Sequence, residues 1–264
     1  MPTIDVNGTT LAYDDTGDTG GSGGSGPAIL FSHSLFFNRT MFDEQVATFG
    51  RAHRVVTYDH RGQGESARAT ILDMDTLAED AAALIEALDL GPCHVVGNSM
   101  GGFIALRLAA RRPELLRSAV VLSSSADEEG QRESFQALLD HARVNGIPVD
   151  ALVHIMFGDT TIAERAPLRE HWRRHFATLA PSILDAAQEV VRRKGVLGEL
   201  VGATVPLLVL SGAEDHTYVP ELSQRIADTA ANATHVTVTS AGHSLAVEQP
   251  VVVNSHLADH FAAT

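Results

Sequence analysis

Six short strand-like runs, interleaved with stretches of helical periodicity, constrain this chain more than any other feature. They lie at 28–32, 53–58, 93–97, 119–123, 206–211 and 234–239. The first, AILFS, is continuously apolar, as a strand covered on both faces would be. Helical patterns fall at 40–49, 76–90, 100–111, 220–231 and 249–262. In the second of these, Leu77, Leu84, Ile85 and Leu88 share one face, Thr76 and Glu79 form a capping-box pattern, and Gly91-Pro92 ends the helix. The alternation predicts an α/β fold, a mostly parallel sheet with helices on both faces.

Three stretches depart from it. Residues 3–15 read as a hairpin about Asn7-Gly8. Residues 16–27, TGDTGGSGGSGP, have nothing to bury and read as a mobile surface loop. Too little chain precedes them for a domain, so they are expected to form a long hairpin connection. Residues 126–200 carry helical patterns and no convincing strand. A structureless loop of that length does not suit a compact domain. The expectation is a helical cap inserted in a core made of 1–125 and 201–264.

Charge and cysteine content narrow the partners. With 19 Lys and Arg against 33 Asp and Glu, the net charge is −14, which argues against nucleic acid and anionic membrane. The single cysteine, Cys93, excludes an intramolecular disulfide and reads as inert core. No apolar run reaches the roughly 18 residues of a membrane span. The segment Met1-Pro2-Thr3-Ile4-Asp5 lacks the basic and apolar regions of a secretion signal. A cytoplasmic protein is expected. The sequence carries no readable signature of oligomeric state.

The chemistry centres on Gly97-Asn98-Ser99-Met100-Gly101, a G-x-S-x-G pattern. Gly20-Gly21-Ser22-Gly23-Gly24 matches it too, but has neither a strand before it nor a helix after it. Ser99 stands where the 93–97 strand gives way to the 100–111 helix, a sharp turn that raises a serine oxygen above the sheet. The helix N-terminus adds N–H groups and a positive dipole end. A serine hydroxyl needs a base and a group that orients the base. In the chain order serine, acid, histidine, Asp215 is the first choice of acid and Glu214 the alternative, in the loop after the 206–211 strand. His243 is the base, in the loop after the last strand. His216, His235 and His256 lie elsewhere.

Along nearly its whole length the chain resembles an α/β-hydrolase. Asp59-His60-Arg61-Gly62-Gln63-Gly64-Glu65-Ser66 resembles a D-x-R-G-x-G-x-S loop common in that superfamily. Gly212-x-x-Asp215-x-x-x-x-Pro220 and Gly242-His243-x-x-x-x-Glu248-x-Pro250 resemble its late motifs. His33-Ser34-Leu35 with Glu248-Gln249-Pro250 is most similar to the 3-oxoadipate enol-lactonase-like group. Acyl transfer needs two N–H donors for the developing oxyanion. One is expected from the backbone of Met100, and the resemblance implies Leu35 for the other, with His33 structural. Ser99 stands where haloalkane dehalogenases and epoxide hydrolases of the superfamily have Asp. The sextet at 97–102 also resembles the carbon–carbon hydrolases of ring-cleavage products, but the 33–37 segment and Ser244 depart from them.

The expected function is hydrolysis of a small-molecule ester or lactone through an acyl-enzyme, with no cofactor and no metal. Enol-lactones, acyl-homoserine lactones and simple esters are the candidate substrates. Carbon–carbon hydrolysis, a cofactor-free perhydrolase activity and a non-catalytic ligand receptor are the alternatives. His171 with His175 and His256 with His260 read as solvated helix faces. Arg165, Arg169, Arg173, Arg174, Arg192, Arg193 and Lys194 read as charged helix surface, the alternative being a clamp on a substrate carboxylate. Leu138, Leu152, Ile155, Met156, Phe157 and Trp172 are expected to pack on the sheet or line an acyl pocket.

Overall fold

The computed structural model describes residues 2–17 and 24–264. The chain opens with β1 (Thr3–Val6) and β2 (Thr9–Asp15), an antiparallel hairpin turned at Asn7 and Gly8, both at positive φ. Then follow β3 (Gly26–Ser32), α1 (Asp43–Phe49), β4 (His53–Tyr58), α2 (Met74–Ala87), β5 (Cys93–Asn98), α3 (Met100–Arg111) and β6 (Leu116–Leu122). Five consecutive helices come next: α4 (Arg132–Asn145), α5 (Val149–Met156), α6 (Asp159–Glu164), α7 (Ala166–Ala177) and α8 (Ile183–Arg192). The chain returns to the sheet with β7 (Leu207–Gly212), α9 (Pro220–Thr229), β8 (Ala233–Val238), α10 (Leu245–Glu248) and α11 (Pro250–Ala263).

The sheet has eight strands in the order β1-β2-β4-β3-β5-β6-β7-β8. From β4 to β8 all pairs are parallel, and β2 joins β4 antiparallel. Every residue of β5 and β7 is buried, whereas edge strand β8 buries only Val238. The continuous apolar runs therefore mark the middle of the sheet. The strand order reverses at β3, which has β4 on one side and β5 on the other. Such a switch opens a crevice at the carboxyl ends of the strands, and Ser34, Leu35 and Ser99 lie just past the ends of β3 and β5.

Two expectations are corrected. The 16–27 segment is not a hairpin connection, because β2 and β3 are not neighbours. β4 lies between them, pairing in parallel with β3 and antiparallel with β2. Residues 18–23, which carry most of the Gly/Ser stretch and Ser22, lie outside the described residues. The second concerns α2, which begins two residues before Thr76. Its cap is Asp73, which accepts the Thr76 N–H at 2.9 Å and the Thr76 hydroxyl at 2.8 Å. A carboxylate in extended backbone geometry displaces the Thr76–Glu79 box.

The helices between β6 and β7 are tied to the loop after β3 by an aromatic cluster. Phe37 packs on Trp172 and Phe176 of α7, with centroids 4.5 and 5.3 Å apart, and on Phe157 at 6.3 Å. Such pairs add roughly 0.5–1.5 kcal/mol each beyond their burial. His175 is half-buried here and donates from Nε2 to the Phe36 carbonyl at 3.0 Å, so it is an anchor and not part of a solvated face. Among the described residues, no helix is long and apolar enough to cross a membrane.

Candidate active site

Ser99 occupies a turn that only its neighbours make possible. Its φ of 53° and ψ of −110° lie where side-chain-bearing residues are strained, at a cost of order 1–3 kcal/mol. The strain is held from both sides. The Ser99 N–H donates to the Leu122 carbonyl at 2.8 Å, and its own carbonyl accepts the Ser124 hydroxyl at 2.8 Å and the Phe103 N–H at 3.1 Å. The flanking glycines are required by close backbone approach. A Cβ on Gly97 would stand 2.0 Å from the Gly101 oxygen, and one on Gly101 would stand 1.9 Å from the Ser32 oxygen.

From this turn a chain of hydrogen bonds runs through residues far apart in sequence. The Ser99 hydroxyl donates to His243 Nε2 at 2.7 Å, and His243 Nδ1 donates to Asp215 Oδ2 at 3.0 Å. The other Asp215 oxygen accepts the N–H groups of Thr217 and Tyr218 at 2.8 and 2.9 Å. All three side chains are buried. Glu214, the alternative acid, faces away and accepts the N–H and hydroxyl of Thr160 at the start of α6. The geometry thus brings Ser99, His243 and Asp215 together and leaves Glu214 apart.

The histidine loop is held by a residue whose part the sequence reading did not assign. Glu248 is fully buried and accepts N–H bonds from Gly242, Ser244 and Gly158 at 2.8–3.0 Å. Burial pushes its carboxyl pKa up while these donors pull it down. Its place in the Gly242-His243-x-x-x-x-Glu248 pattern was the available signal. Asn98 completes the support by donating to the His243 carbonyl at 2.9 Å.

Leu35 and Met100 flank Ser99 from two strands. Met100 is the first residue of α3, so its N–H has no acceptor within the helix. Leu35 follows β3 and lines the same pocket as Ser99 and His243. His33 shapes the segment carrying Leu35. It donates from Nδ1 to the Ser34 carbonyl at 2.8 Å and accepts the His60 N–H at Nε2, 3.1 Å away. Full burial lowers its pKa to about 3, so it is a neutral scaffold residue. The 59–66 motif is also scaffolding: Asp59 accepts N–H bonds from Arg39 and Glu65, and Arg61 forms a buried pair with Asp80.

Above the hydroxyl lies a narrow pocket with a cavity volume of about 60 Å³. Ser99, His243, Thr217 and Tyr218 form its polar part, and Leu35, Phe36 and side chains of α4, α5 and α8 form the rest. Leu138, Leu152, Ile155 and Met156 line it, whereas Phe157 and Trp172 belong to the aromatic cluster. The arginines of the segment between β6 and β7 do not. Arg165 and Arg169 bond to backbone carbonyls, Arg173 pairs with Asp150, and Arg193 is buried against Glu129. Cys93 is buried, and burial pushes its thiol pKa up to about 12, which removes it from nucleophilic chemistry.

Known proteins resemble this chain over most of its length. BpoC of Mycobacterium tuberculosis, which bears the name of a non-heme bromoperoxidase, is 31% identical over 96% of this chain and 98% of its own. The 3-oxoadipate enol-lactonase 2 of Acinetobacter baylyi is 28% identical over 86% of each chain. Among solved structures, the enol-lactonase of Burkholderia xenovorans superposes with a TM-score of 0.90 at 26% identity, covering 99% of this chain and all of that one. The model of the alpha/beta hydrolase family matches residues 29–256. With its strained Ser99 turn, its β3 switch and this match over most of its length, the chain belongs to the alpha/beta hydrolase family.

Proposed function

We propose that the protein is a serine hydrolase of uncharged carboxylic esters or lactones, with Ser99, His243 and Asp215 catalytic and the Leu35 and Met100 N–H groups as oxyanion donors. The observation that carries this reading is the continuous Ser99–His243–Asp215 hydrogen-bond chain at the floor of an apolar pocket. Ser99 Oγ attacks the acyl carbon as His243 Nε2 takes its proton, and the carbonyl electrons move onto the oxygen facing the two N–H groups. His243 returns the proton to the leaving alkoxide, which departs as the alcohol. Water, deprotonated by the same imidazole, then releases the acid. Residues 126–200 act as a cap inserted in a core of 1–125 and 201–264, and contribute the acyl-binding wall. Apart from Ser99, His243, Thr217 and Tyr218 the pocket is lined by apolar groups, and among the described residues its lining carries no carboxylate or guanidinium, which favours a neutral acyl chain over one ending in a carboxylate.

The relatives support ester or lactone chemistry at the level of class. Besides the enol-lactonases, a solved enzyme described as degrading N-acyl homoserine lactones aligns over 98% of this chain at 26% identity with a TM-score of 0.84. The kinship with BpoC favours a second reading, in which hydrogen peroxide replaces water in cleaving the acyl-enzyme and gives a peracid. Both are tested by titrating acid release from a panel of lactones and short acyl esters, with and without peroxide, for wild type and Ser99→Ala. Turnover by the wild type and a kcat about 10⁴–10⁶ lower in the variant is the expected result. Retention of most activity in Ser99→Ala would sink the assignment.

A further inference from the structure

A buried ion pair stands behind the acid turn. Arg193, which follows α8, pairs with Glu129 at 2.7 Å, and the two side chains are 1% and 2% exposed. The guanidinium lies over the Phe103 and Tyr218 rings, 4.2 and 5.2 Å from their centroids, and also donates to the carbonyls of Asp127 and Val190. The same Glu129 oxygen accepts the Tyr218 hydroxyl at 2.9 Å, and its other oxygen accepts the Gln131 N–H. A buried pair of this kind is weak evidence for stability, because desolvation offsets its Coulomb attraction. Its connections point elsewhere. Tyr218 gives its N–H to Asp215, lays its ring 5.3 Å from that of His243, and ends its hydroxyl on Glu129. Burial keeps that phenol protonated and therefore a donor.

We propose that Glu129, Arg193 and Tyr218 are positioning residues that hold the Asp215 turn and keep the field at His243 neutral from the cap side. The proposal rests on the serine-hydrolase reading. Among the described residues, the charged and titratable groups against the imidazole are Asp215 and Tyr218 from the loop after β7 and Ser99 from the turn after β5, while Glu248 from α10 holds the backbone on either side of His243. Glu129 and Arg193 lie one ring further out. Nearby Arg107 and Arg225 are already paired, with Asp75 and Asp127. Removing the Glu129 charge therefore leaves one uncompensated cation behind the Tyr218 ring, whose centroid lies 5.3 Å from that of His243, since a guanidinium does not deprotonate in proteins.

The probe is an alkyl fluorophosphonate, which needs no knowledge of the substrate. Ser99 Oγ attacks phosphorus, its proton passes to His243, an O–P bond forms, and the P–F bond breaks to release fluoride. The second-order labelling rate is followed from about pH 5 to 9. Glu129→Gln is expected to move the acidic midpoint down by about half to one pH unit, because a nearby cation disfavours imidazolium. The double variant Glu129→Gln/Arg193→Met is expected to return it toward wild type. Tyr218→Phe, which keeps ring and N–H, is expected to slow plateau labelling about 3–10-fold. A Glu129→Gln profile that superimposes on wild type overturns the proposal even if the plateau falls, since a purely structural role predicts that result. If Glu129→Gln does not fold, a wild-type midpoint in the double variant supports the proposal only together with slowed labelling in Tyr218→Phe. Wild-type labelling in Tyr218→Phe overturns it. A wild type that is not labelled at Ser99 overturns the serine-hydrolase reading as well, whereas a labelled wild type with unmoved variants overturns this inference alone.

Discussion

The floor of the pocket and its roof are built by different means. At the floor, directional hydrogen bonds hold the side chains: Asp215 has two N–H donors behind His243, Glu248 gathers three more, and His33 uses both ring nitrogens. The roof over Ser99 is apolar and rests on α4, α5 and α8. Directional bonds set positions to a fraction of an ångström, and side-chain packing sets volume. The floor is therefore suited to chemistry that tolerates no displacement, and the roof to a choice of substrate that can change by repacking.

The sharpest way to break this contrast is at the floor. Asp215→Asn is expected to lower kcat by about 10⁴, because the amide favours the wrong imidazole tautomer. Steady-state kinetics on an ester turned over by the wild type checks it. At the roof, Leu138→Trp is expected to cut kcat/KM for a hexanoyl ester by about 10–100-fold while leaving the acetyl ester within about threefold. Equal loss on both esters would show that roof and floor are not separable. A third test uses the scaffold histidine. Its folded pKa of about 3 lies below the unfolded value, so the folded state binds fewer protons than the unfolded one. Its contribution is present above about pH 6.5 and is lost as pH falls toward about 3, with a slope of about 1.4 kcal/mol per pH unit. Denaturant unfolding should show a shallower acid loss in His33→Gln. The smallest effect belongs to Glu214→Gln, expected to keep activity within about threefold and to cost about 1 kcal/mol through the Thr160 contacts.

The floor was far more legible in the sequence than the roof. Ser99, Asp215 and His243 each follow a segment that reads as a strand, and the loop after a parallel strand is where chemistry collects. The Glu214 or Asp215 ambiguity needed coordinates, because adjacent carboxylates in one loop differ only in the direction they face. Glu248 and the Arg193–Glu129 pair were visible as residues but not in their parts, since their partners are backbone groups or side chains distant in sequence. The cap showed helical periodicity, yet periodicity does not tell which apolar face meets the sheet and which meets a pocket. The hairpin expected at 16–27 failed for a similar reason. Local composition announces a turn but does not say that β4 will come between the strands it joins.

The backbone at Ser99 makes the serine side chain and the stability of the fold competitors. Its φ and ψ suit glycine better than any other residue, so Ser99→Gly is expected to raise the melting temperature by about 2–4 °C while abolishing turnover. Screening variants of this protein for thermal resistance alone would thus reward loss of the one side chain on which its proposed chemistry depends, and any such screen has to be run with activity as a second gate.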